Sequence, residues 1–283
     1  MKQTTVYPCA KINLGLNIVA RRADGYHDLQ TVFLPVPLTD TLSVEVVDDD
    51  DPSASTCELS IEGVEIQGDL QDNLVVRAYD RLAKQYPLPR VRVRLTKRIP
   101  TQAGMGGGSS DAAFMLRAMN RLCDLNIGNA EMETIAAELG ADCAFFVRAI
   151  PAYAEGIGDR LSPLPSLSGK LRGLHLVVVK PPVAVSTREA FALVRPQTPV
   201  YNCREIVSDE PLRAWRDLLI NDFEASVFPQ LPELAAIKRR LYALGALFAA
   251  MSGSGSSLFA LFANPPKGIV RQFPETIVFE SAL

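Results

Sequence analysis

Hydrophobic and polar residues alternate near the start of the chain. From residue 10 to 18 the apolar positions are Ile12, Leu14, Leu16 and Ile18, and the positions between them are Lys11, Asn13, Gly15 and Asn17. A period of two residues is typical of a strand with one buried face. The turn signal Asp24-Gly25 leads into a second apolar run over residues 29–36. The pattern therefore predicts a β-hairpin in which Lys11 and Asn13 share one face.

Further periodic segments follow in the first half of the chain. Apolar residues at helical spacing predict helices over residues 73–84 and 131–139, and alternation predicts a strand over residues 91–95. The acidic run at residues 48–51 is most simply a solvated loop. After two prolines, residues 166–173 are loop-like in composition, which makes them the candidate boundary between two domains.

The second half of the chain continues with a buried strand predicted over residues 174–179. The sequence Ser186-Thr187-Arg188-Glu189 is a capping box that predicts a helix start. An amphipathic helix with Leu234, Ile237, Leu241 and Leu244 on one side precedes a strand, a glycine loop and a second strand. Residues 241–263 carry no charge and are long enough to span a bilayer, but their centre reads SGSGSS, which favours soluble elements.

Composition narrows the class of protein. The chain has 283 residues, 48% hydrophobic and 22% charged, which predicts a globular protein of two modest domains, placed at 1–165 and 166–283. The net charge of −3 without a basic block argues against a nucleic-acid partner. The five cysteines form no CxxC pair and there are only two histidines, so neither a disulfide framework nor a zinc site is favoured. No secretion signal is visible, and a cytoplasmic location is therefore expected.

A glycine-rich segment carries the strongest chemical signal. Residues 104–111 read GMGGGSSD, follow a predicted strand and open a helix over residues 112–122, which starts near Ser110. Consecutive backbone N–H groups at a helix N-terminus bind phosphate, and glycine permits close approach. The segment lacks the ending of a Walker A loop, and Ser109 stands where a dinucleotide fingerprint needs glycine. A linker or tight turn is the alternative; a second glycine loop at 252–256 is by itself more typical of a hairpin turn.

Isolated polar residues add weaker signals, each with a structural alternative. Asp142 lies beside an apolar run, where an ionised acid is costly unless it is paired, and a helix N-cap explains it equally well. For Lys11 the sequence alone favours a surface lysine on an edge strand. Tyr26 and His27 offer an aromatic face beside a hydrogen-bonding ring, which suits a flat heterocycle, or form an ordinary hairpin end. His175 is interpreted as a core or edge histidine.

Together these segments resemble the GHMP family of small-molecule kinases over nearly the whole chain. The matching segments are AKINL at 10–14, RADGYH at 22–27, residues 100–113 with GMGGGSSDAA, GAD at 140–142, EGIG at 155–158, NDFE at 221–224 and SGSG at 252–255. The resemblance implies an α+β fold of two domains with the active site in the cleft. The N-terminal domain, 1–165, would carry the glycine-rich loop and bind the nucleotide, and the C-terminal domain, 166–283, would be ferredoxin-like and lie on the substrate side. AKINL and ADGYH resemble the subfamily whose acceptor carries a cytidyl group.

The resemblance also implies a reaction and its residues. The reaction is ATP-dependent phosphorylation of the 2-hydroxyl of 4-diphosphocytidyl-2-C-methyl-D-erythritol in the non-mevalonate isoprenoid route, with Lys11 and Asp142 as the catalytic pair. ATP and Mg²⁺ are the implied cofactors, metal ligands are not assigned, and no protein or membrane partner is implied. The implied ATP-binding residues are Asn73, Pro100, Gly104, Gly106, Gly107, Gly108, Ser109 and Ser110. The implied substrate-binding residues are Asn13, Tyr26, His27, Thr187 and Phe191.

The loop departs from the family pattern at some positions, and two other functions compete with the predicted one. The loop differs from the common family pattern at Gln102, Ala103, Met105 and Asp111. Another GHMP kinase, acting on homoserine or mevalonate, is one rival, and Tyr26-His27 argues against it because those acceptors carry no base. An inactive nucleotide-binding regulator is the other, and retention of Lys11 with Asp142 argues against it.

Overall fold

The computed structural model describes residues 2–47, 56–66 and 68–283, and the fold is α+β. The predicted loop at residues 48–51 lies outside the described residues. The strands are β1 (Gln3–Val6), β2 (Cys9–Arg21), β3 (His27–Thr39), β4 (Thr41–Val46), β5 (Cys57–Gly63), β6 (Val91–Lys97), β7 (Ala152–Glu155), β8 (Arg160–Pro163), β9 (His175–Lys180), β10 (Phe248–Met251), β11 (Leu258–Phe262) and β12 (Ile277–Ala282). The helices are α1 (Leu74–Ala83), α2 (Gly107–Leu122), α3 (Asn129–Ala137), α4 (Cys143–Arg148), α5 (Ser166–Leu171), α6 (Thr187–Leu193), α7 (Cys203–Asp209), α8 (Trp215–Leu218), α9 (Phe223–Val227), α10 (Pro232–Ala243) and α11 (Ile269–Gln272), with 3₁₀ turns at Leu70–Asp72 and Leu212–Ala214.

The chain divides into two compact units that alternate along the sequence. Unit 1 contains Met1–Ala10, Pro37–Thr101 and Gly106–Ala149, and unit 2 contains Lys11–Val36, Gln102–Met105 and Ile150–Leu283. In unit 1 the sheet has the strand order β1-β4-β6-β5, antiparallel except for the parallel pair β5 and β6. The β5 to β6 connection runs through α1, as parallel neighbours require a crossover. Helix α1 packs against α2, which also packs against α4.

Unit 2 contains two sheets. One has the order β2-β3-β7-β8 and the other, fully antiparallel, has the order β10-β11-β9-β12. Alternate residues of β9 and β11, such as Val177, Val179 and Ala260, are buried in a core that also contains Leu16 and Ile18 of β2. The sequence predicted one buried face for β2, but residues 10–18 are buried on both sides of the strand. The second face is covered by other parts of unit 2, since a Cβ on Gly15 would fall 2.9 Å from Cys203 Cβ and 3.0 Å from Leu219 Cδ2.

The predicted strands and most of the predicted helices are confirmed. The hairpin strands β2 and β3 are neighbours in one sheet. Ser186 caps α6 by accepting a hydrogen bond from the backbone N–H of Glu189, as the capping box predicted. Residues 241–263 form the end of α10 followed by β10, the glycine loop and β11. No helix in the described part of the chain is long and apolar enough to cross a membrane.

Three boundary predictions were wrong. Residues 166–173 are not a loop, because Ser166–Leu171 forms α5, in which Leu167 and Leu171 are buried. Helix α2 begins at Gly107 and not near Ser110, because Gly106 in the left-handed region turns the chain into the helix. Helix α3 lies two residues earlier than predicted. The division at residue 165 stays a prediction about function.

Candidate active site

The start of α2 in unit 1 presents backbone N–H groups. Gly106 precedes the helix with φ +69°, and the first backbone hydrogen bond of the helix runs from the Ser110 N–H to the Gly106 carbonyl at 2.9 Å. The N–H groups of residues 107–109 therefore have no acceptor within the helix. Gly108 is exposed, and the nearest atom to a Cβ placed on it is Leu74 Cδ1 at 3.8 Å. This end of α2 can accept an anion against its backbone.

Two predicted residues flank this helix start. Asn73 caps α1 by accepting a hydrogen bond from the Val75 N–H at 2.9 Å, immediately before Leu74. Ser110 is fully buried, and its hydroxyl has no hydrogen-bond partner among the described residues. A buried hydroxyl without a partner is uncommon in folded proteins and marks a position where a ligand atom can supply one.

Asp142 lies in a segment beside the start of α2. A Cβ placed on Gly140 falls 4.0 Å from Ser109 Oγ, and the Cys143 N–H donates to the Gly140 carbonyl at 3.0 Å. Asp142 occupies the N-cap position of α4, but its side chain makes no capping hydrogen bond. The N-cap alternative therefore does not explain the carboxylate.

A buried ionic network, which the sequence did not indicate, lies below the same helix start. Lys97 Nζ contacts carboxylate oxygens of both Asp40 and Asp111, and all three side chains are at most 3% exposed. The other oxygen of Asp40 accepts the backbone N–H groups of Arg98 at 2.5 Å and Ile99 at 2.8 Å. Burial raises the pKa of Asp111 to about 8; the Lys97 ammonium lowers that pKa, and the Asp40 charge raises it.

In unit 2, β2 carries Lys11 in a buried polar chain. Lys11 is 4% exposed and donates to Asn13 Oδ1 at 2.8 Å, and its ammonium lies 5.0 Å from the centre of the Phe33 ring. The Asn13 amide donates in turn to the Thr31 hydroxyl at 2.9 Å. The predicted shared face of Lys11 and Asn13 is confirmed, and the alternative of a surface lysine is wrong. A buried ammonium in a fixed position is suited to balancing negative charge.

Residues 102–105 of the glycine-rich segment also belong to unit 2 and pack against the second glycine loop, residues 252–257. The Lys11 N–H donates to the Met105 carbonyl at 3.0 Å, and the Ser252 hydroxyl donates to the Gly104 carbonyl at 2.9 Å. Gly104 has φ +70°, and a Cβ on it would fall 1.9 Å from the Ser252 carbonyl oxygen. Glycine is required here because protein backbone occupies the space.

The NDFE sequence, which received no role from the sequence alone, connects these elements within unit 2. The Asn221 amide donates to the carbonyls of Met251, at the end of β10, at 2.7 Å and of Gly253, in the second glycine loop, at 2.9 Å. Asp222 accepts the Ile18 N–H at 2.7 Å, which fixes β2. Burial raises the pKa of Asp222, and the Ile18 N–H lowers it. These are long-range contacts, so local patterning could not have indicated them.

An aromatic group in unit 2 includes two of the predicted substrate residues. The rings of His27 and Phe191 stack with centroids 5.0 Å apart at 25°, and Phe223 meets Phe191 edge to face at 4.9 Å. Burial lowers the pKa of His27, with Arg21 as a smaller cause, so the ring is neutral near pH 7 and carries one donor and one acceptor. Tyr26 is 59% exposed at the hairpin turn.

The remaining predicted residues have structural settings of their own. The Thr187 hydroxyl lies 3.2 Å from the Ser254 hydroxyl, and Pro100 is buried beside Ile99. His175 lies at the start of β9, partly exposed, 3.4 Å from a Glu280 oxygen. All five cysteines are free. Burial raises the pKa of Cys143 to about 11, the Ser109 hydroxyl lowers it, and Asp142 raises it.

Comparison with known proteins identifies the family. The family model described as "GHMP kinases N terminal domain" matches residues 73–149, and the one described as "GHMP kinases C terminal" matches residues 208–277. The chain is 48% identical over 277 residues, 98% of each chain, to 4-diphosphocytidyl-2-C-methyl-D-erythritol kinase of Bacteroides fragilis. It is 49% identical over 270 residues, 95% of this chain and 94% of the other, to the kinase of that name from Bacteroides thetaiotaomicron.

A solved structure agrees with these relatives. The crystal structure of a 4-(cytidine 5'-diphospho)-2C-methyl-D-erythritol kinase is 33% identical to this chain, with a TM-score of 0.78, and the match covers 99% of this chain and 100% of the other. The family resemblance drawn from the sequence is thereby confirmed. The chain belongs to the GHMP kinases, in the family of the 4-diphosphocytidyl-2-C-methyl-D-erythritol kinases.

Proposed function

We propose that this chain transfers the γ-phosphoryl group of ATP to the 2-hydroxyl of 4-diphosphocytidyl-2-C-methyl-D-erythritol, in the route to isoprenoid precursors. In the transfer, the bond between the γ-phosphorus and the bridging oxygen breaks, and a bond forms from that phosphorus to the acceptor oxygen. The hydroxyl proton leaves, and ADP is released. The observation that carries the proposal is the segment of Asp142 beside a helix start with unpaired backbone N–H groups.

ATP binds, in this proposal, with its phosphates at the start of α2. The N–H groups of residues 107–109 and the positive end of the helix meet the phosphate oxygens. Gly106, with φ +69°, turns the chain into the helix, Gly108 leaves room for the oxygens, and Asn73 would lie near the adenosine. Gly104 and Pro100 hold the shape of the segment.

The Mg²⁺ that accompanies ATP enters as part of the nucleotide. Among the described residues, no group of three or more His, Cys, Asp or Glu side chains could hold a metal ion. The donor set therefore does not fit a metal held mainly by the protein, and we derive no step through such a metal. The cation neutralises phosphate charge as the partner of ATP.

Asp142 and Lys11 are proposed to act on the same transfer. Asp142 orients the acceptor hydroxyl and takes its proton, while the Lys11 ammonium balances the negative charge that develops. In a loose phosphoryl transfer most of the rate comes from positioning and electrostatics. The buried hydrogen bonds from Lys11 to Asn13 and from Asn13 to Thr31 fix the position of the ammonium.

The cytidyl group is proposed to bind at the aromatic group of unit 2. Neutral His27 offers one donor and one acceptor to the base edge, and Tyr26 and Phe191 offer faces for stacking. Thr187 is proposed to contact the rest of the acceptor. Support for a base-binding role comes from the position of His27 directly after the hairpin turn, stacked on Phe191.

Two broader statements stay proposals. The division of labour between residues 1–165 and 166–283 is supported by family matches at 73–149 and 208–277, which fall on either side of the boundary. A cytoplasmic location is supported by five free cysteines, since oxidising compartments favour disulfides.

The test is an acceptor panel. Purified protein is incubated with Mg·ATP and one of three acceptors: the cytidyl methylerythritol compound, homoserine or mevalonate. ADP release is measured by a coupled assay, and the product is identified by mass and phosphorus NMR. Phosphorylation of the cytidyl compound at the 2-hydroxyl supports the proposal. Faster turnover of another acceptor, or nucleotide binding without turnover of any, overturns it.

A further inference from the structure

The two ends of the segment that leads from β6 to α2 are joined within unit 1 by one buried network. Asp40 accepts the N–H groups of Arg98 and Ile99, the first residues after β6. Lys97, the last residue of β6, contacts both Asp40 and Asp111, and Asp111 lies one turn into α2. The network therefore ties the residues where the chain leaves the sheet to the residues where the helix begins.

Lys97 also lies directly beneath the first residue of the helix. A Cβ placed on Gly107 would fall 3.3 Å from Lys97 Nζ. The ammonium is therefore close to the backbone that faces the phosphates in the proposed function. The net charge of Asp40, Lys97 and Asp111 therefore acts on a bound phosphate through the protein interior. Charge interactions are stronger there than in water.

The charge balance of the network depends on Asp111. Asp40 uses both oxygens, for Lys97 and for two backbone N–H groups, which is the environment of an ionised carboxylate. Asp111 uses one oxygen for Lys97, and its Oδ1 is buried with no hydrogen-bond partner among the described residues. With a proton on Asp111 the three groups sum to zero charge; without it they sum to −1.

The charged groups around Asp111 are few. Besides β6, the elements packed against α2 include β1, β4, α1, α3 and α4. In the described part of the chain, the charged groups that shift the pKa of Asp111 are Lys97 and Asp40.

We propose that Asp40, Lys97 and Asp111 are positioning residues for the nucleotide site, and that the proton on Asp111 keeps the network neutral beneath the bound phosphates. The proposal rests on the proposed placement of ATP at the start of α2. It assigns to Asp111 a pH-sensitive role in nucleotide affinity. Because burial raises the pKa of Asp111 to about 8, the proton is present at pH 7 and lost at pH 9.5.

The experiment compares nucleotide affinity at two pH values. Binding of the non-hydrolysable analogue AMP-PNP with Mg²⁺ is measured by calorimetry at pH 7.0 and pH 9.5. In the parent protein we expect affinity to fall by about fivefold or more over this range, because an added buried negative charge repels the phosphates. In Asp111→Asn, which cannot ionise, we expect a fall of less than about twofold. Asp80→Asn, on the exposed face of α1, is the matched control and should follow the parent.

Two further variants separate the possible failures. Asp40→Asn weakens the anchor for Arg98 and Ile99, and we expect about tenfold weaker analogue binding at pH 7.0 in protein that remains folded by circular dichroism. Gly108→Val tests the placement of the nucleotide itself. If Gly108→Val binds like the parent, the proposed placement of ATP is wrong. If Gly108→Val fails to bind while Asp111→Asn keeps the parent's pH dependence, the network proposal alone is overturned.

Discussion

Gly108 at the start of α2 and the glycines of the second loop lie in segments of similar composition but have different surroundings. At the start of α2, a Cβ on Gly108 meets no atom closer than 3.8 Å, and the neighbouring N–H groups have no helical acceptor. In the second loop, a Cβ on Gly255 would meet Met251 Sδ at 2.7 Å, and one on Gly253 would meet Gly104 carbonyl oxygen at 3.1 Å. Gly108 faces open space, whereas Gly253 and Gly255 leave space that the protein fills. Composition alone does not distinguish the two uses.

The largest effect is expected where the protein fills the space. Gly104→Val places a branched side chain against the Ser252 carbonyl in a left-handed backbone conformation. We expect the free energy of unfolding to fall by about 3 kcal/mol or more, because clash and backbone strain add. Urea unfolding followed by circular dichroism measures the loss. A variant as stable as the parent would show that the two loops do not pack as described.

The next effect concerns the chemistry beside the first region. Asp142→Asn keeps the shape of the side chain and removes the charge that orients the acceptor hydroxyl. We expect kcat to fall by about 10²-fold or more, with AMP-PNP affinity nearly intact. Steady-state kinetics and calorimetry check the two parts. Lys11→Ala should lower kcat as well, and the double variant should lose less than the sum, because both residues serve one transfer. Equal kcat in Asp142→Asn and the parent contradicts the assignment.

Gly108→Val tests the open space directly. The new side chain enters solvent-facing space at the helix start, so we expect a stable fold and about 30-fold weaker nucleotide binding, since the branch occupies the position of phosphate oxygens. Gly107 is a less clean position, because a Cβ there falls 2.9 Å from Ile99 Cγ2 and would strain the protein itself. Melting temperature and AMP-PNP affinity are measured together. A lower melting temperature with unchanged AMP-PNP affinity would show that protein, and not the nucleotide, needs the space at Gly108.

The comparison also shows which features the sequence could indicate. Alternation in residues 10–18 predicted the strand and the shared face of Lys11 and Asn13, because side-chain direction follows from a period of two. Burial of Lys11 could not be predicted, because it depends on residues distant in sequence, such as Phe33 and Met105, that lie against it in the fold. The network of Asp40, Lys97 and Asp111 joins residues 57 and 14 positions apart, and no local pattern marks such a pairing. Asn221 reaches carbonyls 30 and 32 residues away for the same reason.

The smallest expected effect lies at the aromatic group, where binding rather than fold or catalysis is tested. His27→Ala removes a neutral ring that stacks on Phe191 and offers one donor and one acceptor. We expect KM for the cytidyl substrate to rise by about tenfold, equivalent to one or two hydrogen bonds of about 1 kcal/mol each, while KM for ATP changes little. Steady-state kinetics with each substrate varied in turn measures both.

A uridyl analogue sharpens this prediction. Stacking accepts any flat ring, but an edge recognised through hydrogen bonds discriminates between bases whose donors and acceptors differ. The parent should therefore prefer the cytidyl over the uridyl acceptor, and His27→Ala should lose much of that preference. Phe191→Leu is the matched control, because it removes the stacked ring and keeps the His27 edge; it should weaken both acceptors alike. If the preference survives in His27→Ala, the imidazole does not recognise the base, and the protein carries its base specificity on other residues.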